Sequence, residues 1–417
     1  MQYGCGRGGG QARERGSVRS RDGAAQGRTH EVTEGSCQDG VHAPVPRERM
    51  SEGARKLRAA YERVPGAPLY QKEFGYYSLD RWKGEGMPEG VPLEELFGYD
   101  PPGQYDLSGL GWCEAAFEPA FEEKVVEERG AYEVVQDVSG RRLLCFRGRR
   151  SGFMPTYLEH PVKDWRTWEE DVKWRLDPTT PLRDAKLEET MREATEAAAQ
   201  GMLITQRVVG GYMYLRSLIG PEQVLYTFYD EPDLIQDCMA AWLALADAVI
   251  AKHQQFVTIE QFFIGEDICY KHGPLISPEM MREFIFPYYE QLIANIKARQ
   301  IDRSRHLYFH VDSDGWVVPV MPLYRELGMD VMSPFEVAAG CDVVEIGREY
   351  PDLVLLGGID KRVLAKRRED MDRYLERVLP PMRARGGYIP TCDHGVPAEV
   401  SYENYLHFRK RMRELGR

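Results

Sequence analysis

The residues of this 417-residue chain with the densest chemical potential lie in the stretch Tyr308-Phe309-His310-Val311-Asp312-Ser313-Asp314-Gly315. An apolar run ends there in an imidazole and two carboxylates, groups that move protons or bind metal ions. With Cys392 and His394 further along the chain, His310-x-Asp312 offers nitrogen, oxygen and sulfur donors from two places. Zinc accepts such mixed sets, and a catalytic zinc needs three protein ligands and one open position. His310, Asp312 and Cys392 are therefore the candidate metal ligands, and zinc is the metal they suit. The competing reading is a hydrogen-bonded pair in which Asp312 orients the His310 ring. A second constellation, Glu266-Asp267, sets two carboxylates side by side. Neighbours on a strand point to opposite faces, so only one of them turns inward, and Asp267 is the candidate.

Such groups need a scaffold that brings them together. Short apolar runs recur at 203–208, 262–268, 307–311, 331–335, 353–359 and 387–391, none with an ionisable residue in its middle. Helical patterns follow at 222–256, 278–299, 316–327, 341–350, 361–382 and 399–415. This alternation specifies a parallel sheet with right-handed crossovers. Six units, plus one or two strands before residue 200, approach a (β/α)8 TIM barrel, whose chemistry gathers at the carboxyl ends of the strands. The runs end in Arg207 before Gly210-Gly211-Tyr212, in Glu266-Asp267, in His310 to Asp314, in Ser333 and Glu336, in Asp360-Lys361-Arg362, and in Cys392-Asp393-His394. His310, Asp312, Asp267 and Asp360 are the catalytic candidates. Arg207, Tyr212, Glu266, Glu336 and His394 are candidate substrate contacts. For Asp360 a helix N-cap is the competing role. No glycine fingerprint follows any run and no P-loop occurs, so no nucleotide cofactor is expected.

Composition narrows the class. With 43% hydrophobic and 29% charged residues the chain resembles a globular enzyme, and a net charge of -12 disfavours nucleic acid and anionic membranes as partners. Eight scattered cysteines without a Cys-x-x-Cys pair fit reduced thiols and a cytoplasmic location. Residues 1–49 hold ten glycines, eight arginines and almost no aliphatic side chains. They are expected to be a disordered tail outside the fold, with translation starting at Met50. Residues 50–417 then form a single domain. A helix is expected at 51–62, a strand at 67–74, a surface excursion at 84–109, a β-hairpin from 131–135 and 143–146, and a helix at 161–176.

From Met50 onward the chain resembles the uroporphyrinogen decarboxylase superfamily, which includes cobalamin-dependent methyltransferases. The resemblance is carried by Gly265-Glu266-Asp267-Ile268, Leu275-Ile276-Ser277-Pro278, Phe286-Pro287-Tyr288-Tyr289, Phe309-His310-Val311-Asp312, Gly357-Gly358-Ile359-Asp360, Gly386-Gly387-Tyr388-Ile389-Pro390 and Tyr402-Glu403-Asn404. It implies the same barrel. True uroporphyrinogen decarboxylases carry an arginine signature near the amino terminus that holds substrate carboxylates. Here that region reads Leu69-Tyr70-Gln71-Lys72-Glu73-Phe74-Gly75, without arginine. The methyltransferase branch binds zinc through His-x-Cys and a later Cys. His310 and Cys392 match two of these, and Asp312 stands where the branch has cysteine. The resemblance thus implies methyl transfer between a small molecule and a corrinoid (cobalamin) carried by a partner protein. A porphyrinogen carboxy-lyase is the alternative, and a non-catalytic corrinoid- or tetrapyrrole-binding component the third reading.

Overall fold

The computed structural model describes residues 45–149 and 155–417. Among the described residues thirteen strands appear in chain order: β1 (Gln104–Leu107), β2 (Lys124–Arg129), β3 (Tyr132–Gln136), β4 (Arg142–Phe146), β5 (Thr156–Glu159), β6 (Leu203–Val209), β7 (Gln261–Gly265), β8 (Cys269–Tyr270), β9 (Gly273–Pro274), β10 (Tyr308–Asp312), β11 (Met329–Ser333), β12 (Val354–Leu356) and β13 (Tyr388–Ile389). Seven of them form one parallel sheet in the order β1-β6-β7-β10-β11-β12-β13. All six expected apolar runs supply strands of this sheet. They are largely apolar because helices cover one face while the other turns inward.

The ladder has seven strands rather than the eight of a closed barrel, and β1 and β13 are its outer strands. The stretch 67–74, expected as a strand, makes no ladder. Its neighbourhood nevertheless touches both edges. Gln71 accepts a bond from the Asp100 amide, and Tyr76 forms a lone parallel bridge with Val396. The excursion at 84–109 is also corrected, since it contains the edge strand β1, whose Gln104 to Leu107 pair in register with Leu203 to Gln206. Of its four side chains only Leu107 is fully buried, which is why the pattern hides it.

The long helical patterns break where proline or capping chemistry demands. The expected helix at 222–256 is two, Gln223–Asp230 and Pro232–His253, split at Glu231 (φ -139°, ψ 59°). The residue before a proline resists the α conformation, while proline itself starts a helix well. The same logic divides 278–299 near Pro287 into Pro278–Phe284 and Phe286–Arg299, the first capped by the Ser277 side chain. The pattern at 161–176 yields only Trp165–Thr167 followed by a π turn and a 3-10 turn. Pro232–His253 is long and apolar enough to cross a membrane, but half of its apolar window is buried, and it packs against Phe286–Arg299.

The expected hairpin is present as β3 and β4, within a four-stranded antiparallel sheet β2-β3-β4-β5. Part of the stretch 1–49 is described. Residues 45–49 belong to the described structure and carry the turn Arg47–Arg49, with Arg47 paired to Glu62. Residues 1–44 lie outside the described residues.

Candidate active site

A cavity of about 490 Å³ opens at the carboxyl ends of β7 and β10. Gly265, Asp267, Asp312, Asp314 and Glu336 form its floor and one wall. Met213, Arg216 and Pro221 line it from the segment after β6, and Trp112, Cys113 and Glu114 from the loop after β1. The four-stranded sheet covers it, contributing Arg141, Tyr157 and His160. The parallel sheet thus places polar residues where strands stop, and an insertion roofs them.

The carboxylates differ in proton affinity. Burial pushes Asp314 up to about 8, with Asp267, Asp312 and Glu336 adding like charge and Lys361 opposing. Its Oδ1 is buried without a hydrogen-bond partner among the described residues, as suits a carboxyl that keeps its proton. Burial pushes Asp312 up to about 6, opposed by the Ser333 hydroxyl. Near neutral pH one carboxyl is therefore protonated and its neighbour two residues away largely ionised. Asp267, held at φ 46°, pairs with Arg216 at 2.6 Å. Glu336 Oε2 accepts the Gly315 amide at 3.0 Å.

His310 sits in the middle of β10, not at its end, and does not line the cavity. Gln261 Nε2, which only donates, lies 2.8 Å from Nδ1, so Nδ1 accepts and the ring carries its proton on Nε2. That N–H reaches the Ser333 hydroxyl at 2.8 Å, and Ser333 in turn donates to Asp312 Oδ2. Thr205 donates to Gln261 Oε1 at 2.7 Å, and Gln261 also donates to the Tyr61 hydroxyl at 2.6 Å. Burial, reinforced by the Lys72 charge, holds His310 well below the usual imidazole range. The pairing of His310 with Asp312 expected from their spacing thus exists through Ser333. Ser333→Ala deletes a hydrogen bond to the ionised form of Asp312. The pH midpoint at which that carboxylate titrates should rise by about one unit, read by carbon-detected NMR. An unmoved midpoint would show that the hydroxyl does not stabilise the ion.

The proposed zinc set is not brought together. The Cys392 thiol is fully buried, is hydrogen-bonded to Glu73, and is pushed well above the thiol range by burial and then by that carboxylate. His310 has both nitrogens engaged. Among the described residues no group of three or more His, Cys, Asp or Glu side chains is placed to hold a metal ion. The donor types suit zinc, but their positions do not.

Other candidates separate from the cavity as well. Glu266 is buried behind it, taking the Tyr212 amide at 2.9 Å and a bond from the Tyr289 hydroxyl, and burial pushes it up to about 7. It ties β7 to the helix after β6. Tyr212 is fully buried and outside the lining. Asp360 caps the turn Lys361–Ala365 by accepting the Arg362 amide, the helix-cap role. Arg207 pairs with Asp106 at 2.7 Å and lies over the Trp112 ring, one layer below the cavity. His394 stands behind Asp314, its Nε2 3.8 Å from Asp314 Oδ2, and burial lowers it to about 4.

Several lining residues escaped sequence reasoning. Asp314 belonged to the opening stretch but not to the candidates, although its spacing from Asp312 put both on one face of an extended chain. Arg216 sits one helical turn past Tyr212, a spacing that carried a usable signal. Arg141, Tyr157 and His160 carried none, because an insertion folds over the site only in three dimensions.

The model of the family described as uroporphyrinogen decarboxylase (URO-D) matches residues 157–415. The chain belongs to this family. A curated uroporphyrinogen decarboxylase from Hydrogenobaculum sp. (strain Y04AAS1) is 22% identical over 135 residues, 32% of this chain and 37% of that protein. The chain thus spans little more than a third of that relative's length. A methyltransferase from Methanosarcina mazei superposes with a TM-score of 0.54 at 12% identity, covering 87% of this chain and 99% of that one. At that identity the likeness is one of fold. This URO-D family match begins at Tyr157, so it includes β5 and leaves β1 to β4, with Arg141, outside it.

Proposed function

We propose that the cavity transfers a methyl group between a small molecule and a corrinoid carried by a partner protein. The observation that carries this reading is the pair Asp312 and Asp314, two neighbouring carboxyls with proton affinities set apart, in a pocket of small-molecule size. The corrinoid, when bound, supplies or accepts the methyl group. In the demethylating direction the oxygen–methyl bond breaks, its electron pair stays on oxygen, and Asp314 gives its proton to that oxygen. In the methylating direction Asp312 takes the proton from the acceptor. Glu114, Asp267 and Glu336 add to these two acids, while Arg216 and Arg141 are already committed to carboxylates. With Lys271 as the one remaining cation of the lining, the cavity offers little to pair the eight carboxylates of a porphyrinogen. The fold shared with the methyltransferase supports the reading, as does the arginine-free stretch 69–75. We place the seven-stranded sheet and the segment 69–77 together as one barrel closed by that segment.

The test is methyl transfer from methylcobalamin, or from methyl ethers to cob(I)alamin, followed by the corrinoid absorbance. Turnover is expected with the wild-type protein. Absence of turnover with every acceptor, in a folded sample, sinks the proposal. Carbon dioxide release from a porphyrinogen would establish the second reading, which the curated relative's name favours. Corrinoid binding without turnover would favour a binding component.

A further inference from the structure

His160 belongs neither to the carboxylate pair nor to the relay behind it. It follows β5 and faces the cavity beside Arg141, Tyr157 and Arg216. Packing holds the ring. It stacks on Tyr157 with centroids 5.7 Å apart and planes at 24°. Gly220, at φ +108°, approaches so closely that a Cβ there would stand 2.9 Å from His160 Nδ1. No described residue hydrogen-bonds either ring nitrogen. A fixed, polar side chain with no hydrogen-bond partner among the described residues, set in a cavity wall, is the form a ligand contact takes in a preformed pocket.

The charge state narrows the ligand. Burial, then Arg141 and Arg216, lower His160 to about 4 against the opposing charge of Asp137. At neutral pH it is an uncharged imidazole with one donor and one acceptor. The guanidinium of Arg141 is taken by Asp137 and Glu114, and that of Arg216 by Asp267. The two guanidinium groups beside the ring are thus already taken, and Lys271 is the other cation of the lining. A hydroxyl, which also carries one donor proton and accepting lone pairs, matches the ring. The lining also offers apolar surface from Trp112, Met213 and Pro221.

We propose that His160 is a substrate-contacting residue, and that the group it meets is a neutral hydroxyl on a small, largely apolar molecule. The proposal rests on the methyl-transfer reading only in taking this cavity as the substrate's place, and its test needs no turnover.

Phenol and toluene serve as probes, titrated by isothermal calorimetry into the full chain. The wild-type protein should bind phenol about tenfold more tightly than toluene, since a site built to hydrogen-bond a hydroxyl rejects the analogue lacking it. His160→Phe and His160→Leu should bring the two affinities together, while His160→Gln, which keeps a donor and an acceptor, should retain the preference. Equal binding of both probes by the wild-type protein, no binding of either, or an unchanged preference in the folded Phe and Leu variants would overturn the proposal. Loss of methyl transfer with the phenol preference intact would remove the proposed function and leave His160 in place.

Discussion

Replacing Asp314 with asparagine is expected to cut turnover by roughly 10²- to 10⁴-fold, the contribution of a positioned proton donor. The same change should make the folded protein more stable. Asp314 is held up to about 8 in the fold, whereas an unfolded aspartate releases its proton near 3.9. Between those values the unfolded chain binds fewer protons than the native one, so stability falls as pH rises from about 4 to about 8. Asparagine has no proton to lose and escapes this penalty, on the order of 4 kcal/mol at pH 7. The variant's advantage in denaturant midpoint should therefore be absent near pH 4 and grow toward pH 8. In the wild-type protein, activity that depends on the protonated form should decline above about pH 8. An Asp314→Asn protein with turnover within tenfold of wild type would remove this residue from the chemistry. One whose stability difference ignores pH would remove the raised proton affinity.

The second large effect lies at the opposite end of the sheet. Glu260, 3% exposed, joins Arg58 through two 2.8 Å bonds and Arg305 at 3.2 Å. Its backbone links the neighbours as well, donating to Ile204 and accepting from Tyr308. Removing one member of a buried ion cluster strands the others in a medium that solvates charge poorly. Glu260→Ala leaves two guanidinium groups without that carboxylate and should cost about 3–5 kcal/mol in urea unfolding. A hydrophobic replacement of all three side chains should recover much of this loss. Because the cluster is far from the cavity, the folded fraction of Glu260→Ala should keep its ligand affinity. A cost below about 1 kcal/mol would mean that water already reaches the cluster.

The strands of the main sheet were legible because burial on both faces writes itself as continuous apolar runs. β6, β7 and β10 to β13 all declared themselves this way. β1 did not, being short, at the edge and built around Tyr105 and Asp106. The stretch 67–74 erred the other way, reading as a strand although its neighbourhood reaches the sheet only through two edge contacts. The helix breaks at Glu231-Pro232 and before Pro287 were available to a stricter reading of proline, which outweighs an unbroken amphipathic pattern. For the site, the clustering of polar groups at strand ends identified the region correctly but not its members. His310 illustrates the gap. Its position in the chain suggested a ligand or a catalytic base, whereas its side chain points into a buried relay with Gln261 and Ser333.

Local sequence therefore determined where the strands end and that Asp267, Asp312 and Glu336 stand near those ends, because the period-two alternation of a strand assigns each side chain a face. Tertiary structure alone decided which groups meet across the curl. It turned Cys392 toward Glu73, retired Asp360 to a helix cap, and laid Arg141 and His160 over the carboxylates. Proton affinity followed from that same packing. Asp312 and Asp314 are the same residue type two positions apart, and the Ser333 hydrogen bond to Asp312 and the charges brought near each from distant strands set them apart.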